Sequence, residues 1–407
     1  MSMTFDRTRP CLVVAPHLEY PTRNGGDILI DRRWAGFSIH VPYVDIVGKR
    51  TVTRYRGGSL DGRTDFDNEW GSKRRAAATA VLKRSHYLLE KYLTPGFRAE
   101  ARKRLLDGAY STVVFSLIST ASLRASVPEF PGRLYCVETQ NDELKWFSDL
   151  KGASGNPLAR LAAHFSGRWL ESFLKTHEDA FLYIHVSGAD RDGYGRIIPG
   201  HKSIVAPVGV DMDGGVMPCR DDAGKVRLIF AGSLGVKMNL DALNVFRKEF
   251  YPPLKAALGT GLAVLVVGSR PSAAVVSLCA EHGWELHPDV SDEEMARLYA
   301  SSAFSILPFH YVTGGKLKLL KTLASGVPFL STIEMRDQVD ELVYPCHFSN
   351  DPGEWVKRVL EIKERGISPE AREALVGYAR RYSWPVIVSG LISRLENLSG
   401  RKGVVTT

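Results

Sequence analysis

Four short, almost wholly apolar runs mark the second half of the chain: Val226–Ala231 (VRLIFA), Leu262–Val267 (LAVLVV), Phe304–Pro308 (FSILP) and Val327–Leu330. Runs this short, apolar without alternation, suit strands buried on both faces, the condition of a parallel sheet covered by helices. The stretches between them, Leu240–Leu258, Ser272–His282 and Lys316–Ala324, read as helices and supply the crossovers such a sheet needs. The first half carries the same theme. Cys11–Ala15 (CLVVA), Tyr43–Val47, Val113–Leu117, Leu134–Glu138 and Phe181–Val186 read as strands, Ile28–Phe37 as a helix, and the polar, Gly-rich residues 50–70 as a loop. Between the halves, Ala206–Gly224 is rich in Gly, Asp and Pro and reads as a linker. The fold class is α/β with two doubly wound, Rossmann-like domains, residues 1–206 and 224–380, joined by 207–223. Ligands of open α/β sheets bind outside the carboxyl ends of the strands, so a cleft between the domains is the expected site.

The length of 407 residues suits two domains that each bury a core, and 44% apolar with 24% charged residues is ordinary for a globular protein. No apolar run is long enough to span a membrane, and MSMTFDRTRP lacks the apolar stretch of a signal peptide, so a cytoplasmic location is expected. The five cysteines are scattered without a C-x-x-C pair; free thiols are expected rather than disulfides or zinc. The net charge of +8 lies wholly in the first half, where residues 1–205 hold 30 of the 53 Lys and Arg against 22 of the 45 Asp and Glu. Such an excess points to a polyanion or an acidic membrane surface as neighbour, or to a solvated face.

Glycines follow several of the strands. Gly314-Gly315, after the strand ending at Pro308, precede Lys316-Leu317-Lys318-Leu319-Leu320-Lys321. Glycine lets the backbone approach a phosphate, the free N–H groups and dipole of the next helix face it, and Lys316 and Lys318 add charge. The same residues also fit a plain glycine turn before a helix with solvated lysines. Ala231-Gly232-Ser233-Leu234-Gly235 with Lys237, and Gly268 after LAVLVV, suit a diphosphate and a nucleoside, or ordinary strand-to-helix turns. In the first half Pro21–Asp27 (PTRNGGD) is another glycine turn at a helix start. No G-x-G-x-x-G follows a strand, which disfavours a nicotinamide dinucleotide. Gly195–Ser203 (GRIIPGHKS) approaches a P-loop, but His201 stands between glycine and lysine; neither H-E-x-x-H nor G-x-S-x-G occurs.

In order and spacing these elements resemble the family-4-type glycosyltransferases (glycosyl transferases group 1), over nearly the whole chain. PTRNGG looks like the family's glycine loop, Glu138–Glu143 (ETQNDE) like its strand-end E-x-H-N-x-E, Val186–Asp190 (VSGAD) like its S-x-x-D segment and Ala206–Asp211 (APVGVD) like its N-G-V-D. Ile229–Leu243 resembles the opening of the donor domain, and Leu298–Thr332 is the closest match. The RRYSW element around Trp384 is similar to the one that precedes a helix crossing back to the first domain. The resemblance implies the GT-B arrangement, two Rossmann-like domains facing a cleft, with 381–407 as crossover helix and tail. It implies that the second domain binds a nucleotide-sugar. Gly232, Ser233 and Gly315 would face the diphosphate, Lys318 would neutralise the leaving group, and Ser269 and the His287–Val290 turn would lie near the base. Gly25 and Gly26 would sit opposite, beside acceptor and phosphates. Such enzymes generally need no metal or further cofactor; backbone N–H groups and lysines stabilise the departing diphosphate of a UDP- or GDP-linked donor.

Two features depart from the family. Where it carries a spaced glutamate pair, this chain has residues near Thr313 and Lys321, and Gln140 replaces the usual histidine. Lysine cannot accept hydrogen bonds from ribose hydroxyls, so ribose recognition at Lys321 must differ or activity is lost. The K-L-L-K helix is also loosely similar to that of inverting glucuronosyltransferases, which use a carboxylate base in the first domain; Asp142 and Glu143 hold that position, or else cap the helix beginning there. The expected function is sugar transfer from a nucleotide-sugar to a saccharide or lipid-linked acceptor in surface polysaccharide or glycolipid assembly. The alternatives are a non-catalytic nucleotide-sugar-binding scaffold, favoured by Lys321 and Gln140, and an inverting glucuronosyltransferase-like enzyme; a sugar-nucleotide 2-epimerase, which shares the fold, is disfavoured by the linker-to-tail crossover and the poor acidic content of the cleft motifs. A nucleic-acid partner is not expected, since no recognised module interleaves aromatics with the basic stretches. Residues 72–93, with Lys73, Arg74, Arg75, Lys83 and Arg84, and residues 157–175 read as amphipathic helices, suited to an anionic membrane surface or to packing on the sheet.

Overall fold

Strand-forming runs in the first half assemble as β1 (Cys11–Val14), β2 (Val44–Val47), β3 (Thr51–Arg56), β4 (Ser59–Asp65), β5 (Thr112–Ser116), β6 (Leu134–Thr139), β7 (Leu182–His185) and β8 (Ser203–Val205). In the computed structural model, which describes residues 5–22, 24–69, 72–153, 155–212, 225–310 and 316–398, they form one sheet in the order β4-β3-β2-β1-β5-β6-β7-β8. From β2 to β8 neighbours are parallel. The unalternating apolar runs have a direct cause: Leu12, Val14, Val113, Phe115 and Val137 point into one core, while Cys11, Val13, Val114 and Cys136 point into another on the opposite face. That second core also takes Ile30, Trp34 and Phe37 from the helix Gly25–Phe37, and Val388, Leu391, Ile392 and Leu395 from the C-terminal helix Trp384–Leu398. The C-terminal helix thus belongs to the first of two compact units, Met1–Val208 with Trp384–Thr407; the second is Gly209–Ser383.

Three expectations need correction. Residues 50–70 are not a loop: they hold the antiparallel hairpin β3–β4, turned at Gly57 (φ 55°) and Gly58 (φ 85°). Two consecutive positive-φ glycines match the right-handed twist of the flanking strands, and the charged, fully exposed β4 closes the sheet edge against further pairing. The stretch 72–93 is two helices, Lys73–Lys83 and Tyr87–Tyr92, separated by Arg84 in the left-handed region at φ 49°. The expected helix Leu240–Leu258 is Lys237–Val245 and Tyr251–Leu258 with a π-helical turn between them, just before Pro252 and Pro253, whose missing N–H groups cannot continue the α ladder.

A buried ion pair locks the first unit. Arg33 Nη1 donates to Glu138 Oε1, with both side chains wholly buried. Arg33 Nη2 donates to the carbonyls of Ala206 (2.7 Å) and Pro207 (2.8 Å), and Trp34 Nε1 to Glu138 Oε2 (3.1 Å). The first glutamate of ETQNDE therefore fastens a helix and the chain leaving β8 rather than facing a ligand.

The second unit is a wholly parallel sheet of β9 (Val226–Ala231), β10 (Leu262–Gly268), β11 (Glu285–Pro288), β12 (Phe304–Leu307), β13 (Phe329–Ser331) and β14 (His347–Phe348), ordered β11-β10-β9-β12-β13-β14. Ile229, Leu265 and Val267 pack against Leu298 and Tyr299 from the helix Asp292–Ala300.

Candidate functional site

Strand order fixes where each sheet opens. In the second unit the chain builds outward from β9 to β10 and β11, then returns to β12 on the other side of β9. Consecutive connections diverge there, and the crevice beyond the carboxyl ends of β9 and β12 is the ligand-binding position of such sheets.

The loops at that crevice are knitted together by backbone bonds. Gly232 N–H donates to Val267 O (3.0 Å), Leu234 N–H to Ser269 O (2.8 Å) and Asp289 N–H to Gly268 O (3.0 Å); Ser269 Oγ lies 3.5 Å from Ser233 Oγ. Gly268 has φ +153°, and a Cβ there would stand 1.6 Å from Gly232 O, so only glycine permits this approach. Lys318, in the first turn of the helix Lys316–Ala324, reaches in beside them. Its Nζ donates to Asn239 Oδ1 and lies 4.4 Å from the Phe309 ring centroid and 5.5 Å from that of Phe230. A Cβ on Gly232 would meet Lys318 Nζ at 3.2 Å and Asn239 Nδ2 at 3.1 Å, so glycine keeps that face of the amine clear. Burial alone pulls the Lys318 ammonium down to about 7; no charged side chain acts on it among the described residues. A half-buried amine with no charged partner among the described residues, set among backbone turns, is suited to an anion.

Gly232, Ser233, Gly268, Ser269 and Lys318 are thus brought together, and the turn after β11 joins them through Asp289. Three lysines are not. Lys237 is exposed and pairs with Asp241 one turn on (2.6 Å). Lys316 lies 4.3 Å from the Tyr382 ring centroid, its pKa lowered chiefly by burial while Asp340 opposes the shift. Lys321 is exposed in the last turn of its helix. Gly315 and Thr313 lie outside the described residues. Asn239 and Phe309 carry no sequence signal of their own, because their roles depend on which helix and strand end meet Lys318.

In the first unit the corresponding switch lies between β1 and β5. Asn24 caps the helix Gly25–Phe37, accepting from Asp27 N–H (3.0 Å). Gly26 faces Gln140: a Cβ there would lie 2.7 Å from Gln140 Oε1. Gln140 Nε2 donates to His17 Nε2 (2.7 Å) and lies 3.3 Å from Ser116 Oγ, tying together the ends of β1, β5 and β6. Burial, with Lys91 adding to it, pulls His17 down to about 4, and burial raises the Asp27 carboxyl to about 7. Both carboxylates considered as a base hold backbone. Asp142 Oδ1 accepts from Lys145 N–H (3.0 Å), capping the helix Glu143–Ala153. Glu143, 2% exposed, accepts from Ile118 N–H (3.2 Å), and burial raises its carboxyl to about 7.

Similarity to known proteins follows this geometry. Residues 225–364 match the family described as glycosyl transferases group 1. Across the whole chain the solved structures decide the architecture. The fold is GT-B. Sucrose-phosphate synthase from Thermosynechococcus elongatus superposes with TM-score 0.64 at 12% identity, covering 96% of this chain and 99% of that one. The catalytic domain of starch synthase IV from Arabidopsis thaliana, bound to ADP and acarbose, gives 0.61 at 12% identity over 97% and 100%. HepE from Anabaena, in complex with UDP-glucose, gives 0.55 at 11% over 96% and 100%. No curated protein sequence matches the chain. Within this GT-B chain the family match falls on the second unit, from the residue before β9 into the helix Pro352–Arg365, and so spans the Lys318 crevice.

Proposed function

We propose that the protein is a glycosyltransferase that takes a sugar from a nucleoside-diphosphate donor held at the β9–β12 crevice. The carrying observation is the Lys318 amine, half-buried between Gly232 and Asn239 without a carboxylate partner among the described residues. In transfer, the bond between the anomeric carbon and the diphosphate oxygen breaks, the acceptor oxygen bonds that carbon, and the acceptor's proton passes to the released diphosphate. Negative charge grows on the departing diphosphate, where Lys318 and backbone N–H groups stabilise it in place of a metal. UDP-glucose on HepE and ADP on the starch synthase domain support a nucleotide in this fold. The donor is a UDP- or GDP-linked sugar, and the acceptor a saccharide or lipid-linked glycan of a surface polysaccharide or glycolipid.

The site of action proposed is the cytoplasmic side of a membrane, on which the protein sits peripherally. No helix among the described residues is long and apolar enough to cross a membrane. The helix Lys73–Lys83 exposes Lys73, Arg74, Arg75, Lys83 and Leu82, a surface suited to anionic lipid. The helix Pro157–Thr176 instead packs Leu170, Phe173 and Leu174 into the core.

Thermal shift with UDP, GDP, ADP and dTDP and their sugars tests the donor site. A ligand at a hundred times its Kd stabilises by about 2.7 kcal/mol. One nucleotide should raise the wild-type melting temperature, and Lys318→Ala should lose most of that rise. No shift with any nucleotide would overturn the donor site; a shift without turnover on any acceptor would favour a non-catalytic binder.

A further inference from the structure

We propose, resting on the reading of the β9–β12 crevice as the donor site, that Asn239 is its positioning residue: it presents a neutral oxygen to Lys318, fixing the amine beside Gly232 while leaving the diphosphate to supply the counter-ion. Asn239 is buried in the first turn of the helix Lys237–Val245. Its Nδ2 donates to Ser233 O at 2.7 Å, and its Oδ1 accepts from Lys318 Nζ. The first bond orients the second: with the amide nitrogen committed to a carbonyl, only the oxygen can face the lysine.

Neither a charged isostere nor an apolar one fills both roles. Aspartate has the same shape, but it cannot donate to Ser233 O, and it would pair with Lys318 and occupy the charge meant for the ligand. Leucine would fill the space and leave both Ser233 O and Lys318 without their partner. The Phe309 and Phe230 rings stabilise a cation weakly through their faces and do not neutralise it. Gly232 completes the arrangement, since any Cβ there would press on both the amide nitrogen and the amine. An anion entering the crevice therefore meets an aimed amine with spare charge, and because burial has made that amine easy to deprotonate, binding near and above neutral pH draws a proton onto it.

Two measurements on wild type, Asn239→Asp, Asn239→Leu and Lys318→Met test this. The first is independent of nucleotide: the pH profile of Lys318 labelling by a small amine-reactive reagent, read by mass spectrometry on the folded protein. Wild type should show a midpoint near neutrality, and Asn239→Asp one at least about one pH unit higher. The second is calorimetry with whichever of UDP, GDP, ADP or dTDP stabilises the wild type, in buffers of different ionisation enthalpy. Wild type should take up a proton on binding. Asn239→Asp should bind about tenfold or more weakly with the uptake abolished, Asn239→Leu should weaken binding with uptake retained, and Lys318→Met should show neither binding nor uptake. An unchanged labelling profile in folded Asn239→Asp, or wild-type affinity and proton uptake in that variant, overturns the proposal. A shifted labelling profile with no nucleotide bound by the wild type supports the Asn239–Lys318 coupling and instead overturns the donor-site reading.

Discussion

Gly268→Ala is the sharpest perturbation of the second unit, because one methyl group attacks the contact that holds two loops together. The new Cβ would sit 1.6 Å from Gly232 O and 2.7 Å from Gly232 C, both backbone atoms that no rotamer change can move aside. Relief requires the Gly232–Leu234 turn to withdraw by more than 1 Å, until that contact exceeds about 3 Å. Withdrawal strains or breaks the bonds from Gly232 N–H to Val267 O and from Leu234 N–H to Ser269 O. Each such bond is worth about 0.5–1.5 kcal/mol. Alanine at φ +153° adds about 1–3 kcal/mol of backbone strain. The sum is about 2–6 kcal/mol, a large part of a domain's stability. Since two units need not unfold together, the assay is amide hydrogen exchange in peptides covering β9, β10 and their following turns, alongside nucleotide thermal shift. Exchange there should accelerate while the first unit's β1 and β5 keep their protection, and the nucleotide shift should vanish. Wild-type exchange within about 0.5 kcal/mol, with an intact nucleotide shift, would refute the reasoning.

Other perturbations address the first unit. Arg33→Met strands the Glu138 carboxylate in a fully buried position and should destabilise by about 3–5 kcal/mol in urea denaturation; a cost below about 1 kcal/mol would contradict the buried pair. Glu143 titrates at about 7 in the fold against an ordinary 4.5, so its contribution to stability is fully present below about pH 4.5 and is lost as pH rises through 7. Glu143→Gln should therefore gain on the wild type between about pH 5 and 8, by an amount on the order of 3 kcal/mol; parallel melting-temperature curves across that range would rule this out. Sedimentation with anionic vesicles should capture the wild type in low salt and lose the variant with Lys73, Arg74 and Arg75 changed to Gln, whereas equal recovery of both would dismiss the basic helix as a membrane surface.

Much of the site was legible because glycine after a strand has few structural excuses. Gly232 and Gly268 stood out in AGSLG and VVG, and Lys318 in the helix that follows β12. The lysines were harder to sort. Lys316, Lys318 and Lys321 lie within two turns, and only their tertiary partners separate the one bonded to Asn239 at the crevice from the one over Tyr382 and the one in solvent. Gly57-Gly58 announces the β3–β4 hairpin, but an edge strand exposed along its length has no apolar pattern to mark it as a strand. Asp142 and Glu143 illustrate the opposite limit: their types suit a base, but their bonds to Lys145 and Ile118 N–H show carboxylates engaged with backbone.

By itself the sequence determined the α/β class, the pairing of one doubly wound sheet with another, and the glycine turns, because apolar period and glycine chemistry are local properties. Tertiary structure alone decided that the C-terminal helix completes the first unit's core, that Glu138 is spent on Arg33, and that Asn239 rather than an acid faces Lys318. Those facts depend on strand order and on contacts between residues far apart in sequence, 79 positions for Asn239 and Lys318, 105 for Arg33 and Glu138, and farther still for the C-terminal helix. No local pattern encodes them; they arise when a crossover brings distant segments to the same strand ends.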